Sequence, residues 1–204
     1  MTNKGRILAV DDTPESLRLL TDILKAEGYE VRAAISGELA LHAAALNPPE
    51  LILLDIRMPG MNGYEVCRSL KAQPATRDVP VIFVSAASET SEKVEGFAVG
   101  GVDFVTKPYQ RDELLARVRT HLQLNRLSNH LEELVEERTA ELRVSERKLK
   151  ASLLESISAL AATVELRDPY TAGHQRRTAE LAVAIAGELQ LTAEQTEGIH
   201  LAAI

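Results

Sequence analysis

At 204 residues the chain is long for one domain and short for two full ones, and its net charge of −7 excludes a nucleic-acid surface as its main business. High aliphatic content, 3% aromatic residues and no Trp suit Leu/Val/Ala-rich helices around a small sheet. Cys67 is the single cysteine, so no internal disulfide is possible and a reducing compartment fits. The early apolar run Ile7–Val10 is too short for a signal peptide, and no stretch approaches a membrane span, so the expectation is a cytoplasmic protein with no membrane partner.

From residue 6 to 124 the chain alternates strand-like and helix-like segments. Arg6–Val10 is a short apolar strand ending in Asp11-Asp12. Thr13 then caps a helix with Pro14 at its first position; Leu17, Leu20, Ile23 and Leu24 form one apolar stripe, and Gly28 ends it. Glu30–Ala34 is a more polar strand, nearer an edge. Glu38–Leu46 is a helix stopped by Asn47-Pro48-Pro49. Leu51–Leu54 is apolar at every position and runs into Asp55, which reads as a central strand covered on both faces. Tyr64–Ala72 is a helix, Val79–Val84 a strand ending at Ser85, and Ser91–Val99 a helix ended by Gly100-Gly101. Val102–Thr106 is a fifth strand, followed by Lys107-Pro108 and a helix from about Arg111. The sum is a (βα)5 α/β fold with a parallel sheet and right-handed crossovers.

The fifth helix does not stop on schedule. No Gly or Pro occurs from Arg111 to Leu166. Leu124, Leu127, Leu131 and Leu134 recur at spacings of three and four, and Leu142, Ser145, Leu149 and Leu153 do so again, the two sets joined through Arg138 by a stutter. The pattern predicts a parallel coiled coil, and hence a homodimer; the alternative is a long helix packed within its own monomer. Six basic and seven acidic residues over 125–163 make this a solvated helix surface, not a nucleic-acid arm. Asp168-Pro169 breaks the helix, a second helical stretch runs over about Ala172–Leu189, and Thr192-Ala193-Glu194-Gln195 is a capping box opening a last helix. Apolar residues still arrive at Ile204, which reads as an interruption of a longer pattern. The chain thus divides into 1–122, a signalling helix over 123–160, and a short all-α segment over 161–204. The apolar residues of that last segment, among them Leu160, Leu181, Ile185 and Leu189, are expected to pair with a second copy.

Each chemically useful residue of the first segment follows a predicted strand: Asp11 and Asp12, Asp55, Ser85 and Lys107. In a parallel sheet those ends share one edge, where open α/β sheets bind their ligands. Asp55 alone could be a turn-former, Asp11-Asp12 a helix cap and Lys107-Pro108 a loop. Together they bring three carboxylates, a hydroxyl and an ammonium into one pocket. Such carboxylates repel unless a cation binds, and oxygen donors of this density suit Mg²⁺. A carboxylate beside Mg²⁺ and Lys can attack a phosphoryl group.

Asp11-Asp12, Asp55 with Met58-Pro59-Gly60, Val84-Ser85-Ala86 and Lys107-Pro108 resemble the receiver domain of two-component response regulators over about residues 4–122. The resemblance implies a flavodoxin-like fold and a sensor histidine kinase as partner. It makes Asp55 the phosphoacceptor, with Asp11, Asp12, Asp55 and the backbone carbonyl of Arg57 as Mg²⁺ ligands. It assigns Lys107 and Ser85 to the phosphoryl group, Ser85 and Phe104 to the switch, and a cis peptide to Pro108. A haloacid-dehalogenase-type phosphatase wants a second Asp two residues after the nucleophile, where this chain has Arg57.

Leu166–His174, with Arg176, resembles the opening of an HD-GYP domain, a family that hydrolyses cyclic-di-GMP with a two- or three-metal centre. His174 matches a metal-ligand His of that family, and Tyr170 stands where some members carry an extra Glu. The chain has no His-Asp dyad and no Gly-Tyr-Pro, so no hydrolase activity is expected of it as it stands, and a transition metal belongs only to a complete output domain. The whole reads as a response regulator in which Asp phosphorylation controls a C-terminal output, a cyclic-di-GMP phosphodiesterase whose catalytic part is missing from this chain, either by truncation or because the gene product lacks it. The alternative is a non-enzymatic dimeric adaptor acting through its coiled coil. The cognate kinase, the signal and the sign of regulation are not written in the sequence.

Overall fold

The computed structural model describes residues 4–86, 90–167 and 174–203. Five strands and five helices alternate: β1 (Arg6–Val10), α1 (Pro14–Ala26), β2 (Glu30–Ala34), α2 (Gly37–Leu46), β3 (Leu51–Asp55), α3 (Gly63–Ala72), β4 (Val81–Ser85), α4 (Thr90–Ala98), β5 (Asp103–Thr106) and α5 (Arg111–Arg167). Two helices follow, α6 (His174–Glu188) and α7 (Ala193–Ala203). The chain divides into two compact units, Met1–Glu133 and Leu134–Ile204. Among the described residues no helix is long and apolar enough to cross a membrane.

The sheet is parallel, in the order β2-β1-β3-β4-β5. The order reverses direction between β1 and β3, which places a crevice beside the carboxyl ends of those two strands. Period-2 alternation sorts side chains onto two faces. Leu8, Val10, Ile52, Leu54 and Phe83 meet α2 and α3 on one side. Ile7, Ala9, Leu53, Ile82 and Val84 meet α1 and α5 on the other. Both faces are covered, so β3 and β4 are buried at every residue, while β2 at the edge is buried only at Ala34. Each of the large aliphatics so buried contributes roughly 1.5–3 kcal/mol.

Local chemistry sets most element ends. Gly28 turns the chain after α1 at φ +91°, a conformation that favours glycine. Asn62 and Glu65 form a reciprocal capping box at the start of α3, which begins one residue before the expected Tyr64. β4 begins at Val81 rather than Val79 because Pro80 has no N–H to give to the ladder. Thr13 occupies the N-cap of α1, yet its side chain makes no capping bond. At the expected box before α7, Thr192 N donates to Gln195 Oε1 at 3.0 Å and Gln195 N to Thr192 Oγ1 at 3.3 Å. The proposed helix break at Asp168-Pro169 lies outside the described residues.

Helix α5 buries Leu114, Leu115, Val118 and Leu122 against the sheet. One turn later it is still held: Arg126 donates from Nε (2.8 Å) and Nη2 (2.6 Å) to Glu50 Oε2, and from Nη2 to the Lys4 carbonyl (2.9 Å). From Leu127 to Leu153 its leucines are exposed.

Cys67 is fully buried on α3, and its Sγ lies 3.4 Å from the Val99 carbonyl. Burial pushes its thiol up to about 11, against the weaker pull of Lys71 and Arg68. At pH 8, three units below, roughly one thiol in a thousand is ionised. A thiol reagent at that pH is therefore expected to leave the native protein unlabelled for hours and to label it at once in denaturant; fast native labelling would contradict the burial.

Candidate functional site

Asp11, Asp55, Ser85 and Lys107 are each delivered by the end of a strand, and the parallel register brings those ends together. Val10 pairs with Leu54, Asp55 with Val84, and Ser85 with Thr106. Asp11 and Asp12 thus follow β1 directly beside Asp55, and Lys107 follows β5 beside Ser85.

Ligand atoms of Asp11, Asp12 and Asp55 lie within 4.8 Å of one another, the one such group of three or more potential metal ligands among the described residues. Asp11 is 1% exposed and Asp55 6%. Lys107 bridges them, with Nζ 2.6 Å from Asp11 Oδ2 and 3.2 Å from Asp55 Oδ2. Burial raises the Asp55 carboxyl above the usual carboxylate range; Lys107 pulls it down and the Asp11 charge pushes it up again. Burial by itself would lower Lys107, but the hydrogen bond to Asp11 and the charges of Asp55 and Asp11 outweigh it and hold the ammonium above its ordinary value. A single Lys thus meets two members of a cluster of three carboxylates. That surplus of anionic oxygen fits a hard divalent cation such as Mg²⁺, for which Asp11, Asp12 and Asp55 are the available side chains.

The sequence reading missed what holds Asp11 in place. Its Oδ2 accepts from Ser16 Oγ at 2.5 Å and its Oδ1 from Thr13 N at 2.9 Å. A Ser in the first turn after a strand-end Asp was the available signal. Asp55 Oδ1 accepts from Ile56 N at 3.0 Å, so its other oxygen is the one nearer Lys107. Ser85 is 2% exposed.

Phe104 sits half-buried on β5. Its ring centroid is 5.3 Å from that of Phe83 and 5.1 Å from that of Phe97. The ring lies over Gly96, where an added Cβ would come within 2.3 Å of Phe104 Cζ. Arg57 lies two residues past Asp55, and its guanidinium Nη2 is 3.1 Å from Glu92 Oε1 on α4. The Lys107-Pro108 peptide is cis. His174 is the first residue of α6 and is exposed; it belongs to the other unit and is not part of the Asp cluster. Tyr170 lies outside the described residues.

Residues 7–119 match the family model described as the response regulator receiver domain. The chain belongs to that family. A Vibrio cholerae protein described as "Probable cyclic di-GMP phosphodiesterase" is 39% identical over 193 residues, covering 91% of this chain and 42% of the relative. The response regulator PleD of Caulobacter vibrioides is 47% identical over 116 residues, 57% of this chain and 26% of the relative. The chain therefore spans less than half the length of these relatives. Among solved structures, the chemotaxis response regulator CheY4 of Vibrio cholerae superimposes with a TM-score of 0.56 at 29% identity, covering 59% of this chain and 99% of that one. NtrX from Brucella abortus gives 0.60 at 30% identity, covering 64% and 29%.

Proposed function

We propose that this chain is the regulatory part of a response regulator in which a sensor histidine kinase, or a small phosphodonor, phosphorylates Asp55. The single observation that carries the reading is the ammonium of Lys107 set between Asp11 and Asp55. The Asp55 carboxylate attacks the phosphorus, forming an acyl phosphate; the bond broken is P–N when a phosphohistidine is the donor, with the imidazole leaving, and P–O when acetyl phosphate is, with acetate leaving. Asp11, Asp12, Asp55 and the Arg57 carbonyl would hold Mg²⁺, which would supply positive charge to the phosphoryl oxygens. Lys107 exchanges its partners for one of those oxygens, and Ser85 donates to another. With Ser85 drawn toward the new group, the Phe104 ring, which lies over Gly96 here, turns inward, linking the site to the α4–β5 face.

The test is incubation with ³²P-acetyl phosphate. Label is expected with Mg²⁺, lost in EDTA, and located at Asp55 by peptide mapping after borohydride trapping. Label on another residue, or equal label without a divalent cation, overturns the assignment.

The output reading rests on the Vibrio cholerae relative and on the residues around His174. In the longer protein, phosphorylation of the segment 1–122 is relayed through a coiled-coil homodimer over 123–160 to a metal-dependent cyclic-di-GMP phosphodiesterase beginning at 161. What supports the dimer is the run of leucines left exposed along α5, Leu124, Leu127, Leu131 and Leu142 among them. Leu131→Glu with Leu142→Glu is expected to turn dimers into monomers in light scattering while phosphorylation persists. A dimer that survives both changes lies elsewhere.

A further inference from the structure

The exposed seam of α5 changes its repeat length along the helix. Leu124, Leu127, Leu131, Leu134 and Arg138 are spaced three, four, three and four, the seven-residue repeat of a left-handed coiled coil. After Arg138 the arithmetic changes. Leu131, Leu142 and Leu153 stand 11 residues apart. Leu134, Ser145 and Ser156 stand 11 apart, and so do Arg138, Leu149 and Leu160. Three interleaved series with one common period are a repeat, not a single insertion. Eleven residues over three turns make 3.67 per turn, slightly above the 3.6 of a straight helix, which gives a straight or gently right-handed pair.

The structure leaves this seam available. Helix α5 runs unbroken through it, with Leu131 51% exposed, Leu142 60%, Leu149 73%, Leu153 58% and Leu160 68%. Another face of the same stretch serves its own unit. Lys150, Leu154 and Ile157 share a face at spacings of four and three; Lys150 pairs with Glu197 of α7, and Leu154 and Ile157 are half-buried.

We propose that residues 131–160 pair in parallel with the same residues of a second copy through this 11-residue repeat, with the change from the seven-residue spacing at Arg138. The proposal rests on the homodimer reading above and adds its register and geometry. In-register parallel pairing sets each layer against its own kind, aliphatic on aliphatic and hydroxyl on hydroxyl. An antiparallel pairing that keeps the layers aligned sets Arg138 against Leu149 and Leu131 against Ser156, burying polar groups against apolar ones. The charged layer brings its own counterion: Arg138 Nη1 lies 2.7 Å from Glu141 Oε2 of the same helix. A second copy therefore need supply no charge there, and the Arg138 layer marks the register, as polar seam residues do.

Oxidative cross-linking of single-cysteine substitutions in the full chain tests this, with buried Cys67 left in place. Leu149→Cys and Ser156→Cys lie in the seam of the 11-residue repeat. Lys148→Cys and Glu155→Cys lie in the seam if the seven-residue spacing continues past Arg138. Since a disulfide needs Cβ atoms at about 4 Å, the first pair is expected to cross-link roughly tenfold faster than the second. Faster cross-linking at 148 and 155, in a chain still dimeric by light scattering, overturns the repeat and leaves the homodimer standing. No cross-link at any position from a monomeric chain defeats the homodimer reading itself. Cross-linking between an Arg138→Cys copy and a Leu149→Cys copy, without same-position products at 149 and 156, shows antiparallel pairing and overturns the proposal.

Discussion

Asp55→Asn is expected to reduce phosphoryl labelling by acetyl phosphate to the level of a protein-free blank. The substitution keeps the shape of the side chain and an oxygen for the Ile56 N–H, so the fold should survive. It removes the ionised oxygen that lies 3.2 Å from the Lys107 ammonium, and an amide is no substitute for a carboxylate as nucleophile. It also removes one of the three negative charges of the cluster, so Mg²⁺ affinity is expected to fall by roughly tenfold, readable by fluorescence or calorimetric titration. Lys107→Ala moves the two quantities apart. The neutralising ammonium is gone, Asp11 and Asp55 keep their charge, and Mg²⁺ should bind more tightly while labelling slows by about 10²-fold, the scale of one lost donor to a developing charge. An Asp55→Asn chain that labels at the native rate would place the phosphoacceptor elsewhere and remove the basis of the functional reading.

Gly63→Ala is expected to be the most damaging small substitution in the first unit. A Cβ at this first residue of α3 would lie 2.3 Å from the Asp55 carbonyl oxygen and 2.9 Å from the Ile56 Cα. Both are backbone atoms at the end of the central strand, and the Gly63 N–H is already tied to the Ile56 carbonyl at 2.9 Å. Nothing flexible can yield, so the start of α3 must move away from β3. The cost is at the upper end for overpacking, about 3 kcal/mol, which corresponds to a fall of about 10 °C in the midpoint of the thermal transition. Because the strain falls on Asp55 itself, the folded fraction should also label more slowly. Gly187→Ala is the contrasting control. It lies within α6 with nothing inside 4 Å of an added Cβ, so there the helix propensity of Ala is expected to stabilise slightly. Equal melting behaviour for the native chain and Gly63→Ala would mean that α3 packs less closely on the Asp55 strand than described.

Much of the first unit is legible in the residue order, because its signals are local. A run such as Leu51–Leu54 is apolar at each position only when both faces of a strand are covered, and β3 is central and buried throughout. The more polar Glu30–Ala34 reads as an edge strand, and β2 is one. A strand-end position can be counted along the chain, so spacing alone assigns Asp11, Asp12, Asp55, Ser85 and Lys107 to one sheet edge. Element ends are legible to within a residue or two. The misses fall where a neighbour overrides the local signal, as where Pro80 delays β4, or where a capping pair such as Asn62 and Glu65 goes unread.

What the residue order alone determined is therefore the strand and helix sequence, the chemical set at one sheet edge, and the repeat along α5, all of which depend on spacing along the chain. What only the tertiary structure decided are the relations between residues far apart in sequence. Lys107 choosing Asp11 at 2.6 Å as well as Asp55, Ser16 holding Asp11, Arg126 held to Glu50, and Asp103 gathering Arg117 and His121 all arise where separate elements meet. The Asp103 carboxyl shows the physical reason. Burial alone would raise it, yet hydrogen bonds from Arg117, the Phe104 N–H and His121 hold it below the ordinary carboxylate range. No local pattern announces that balance, because it is set by distances of a few ångströms between groups that only packing brings together.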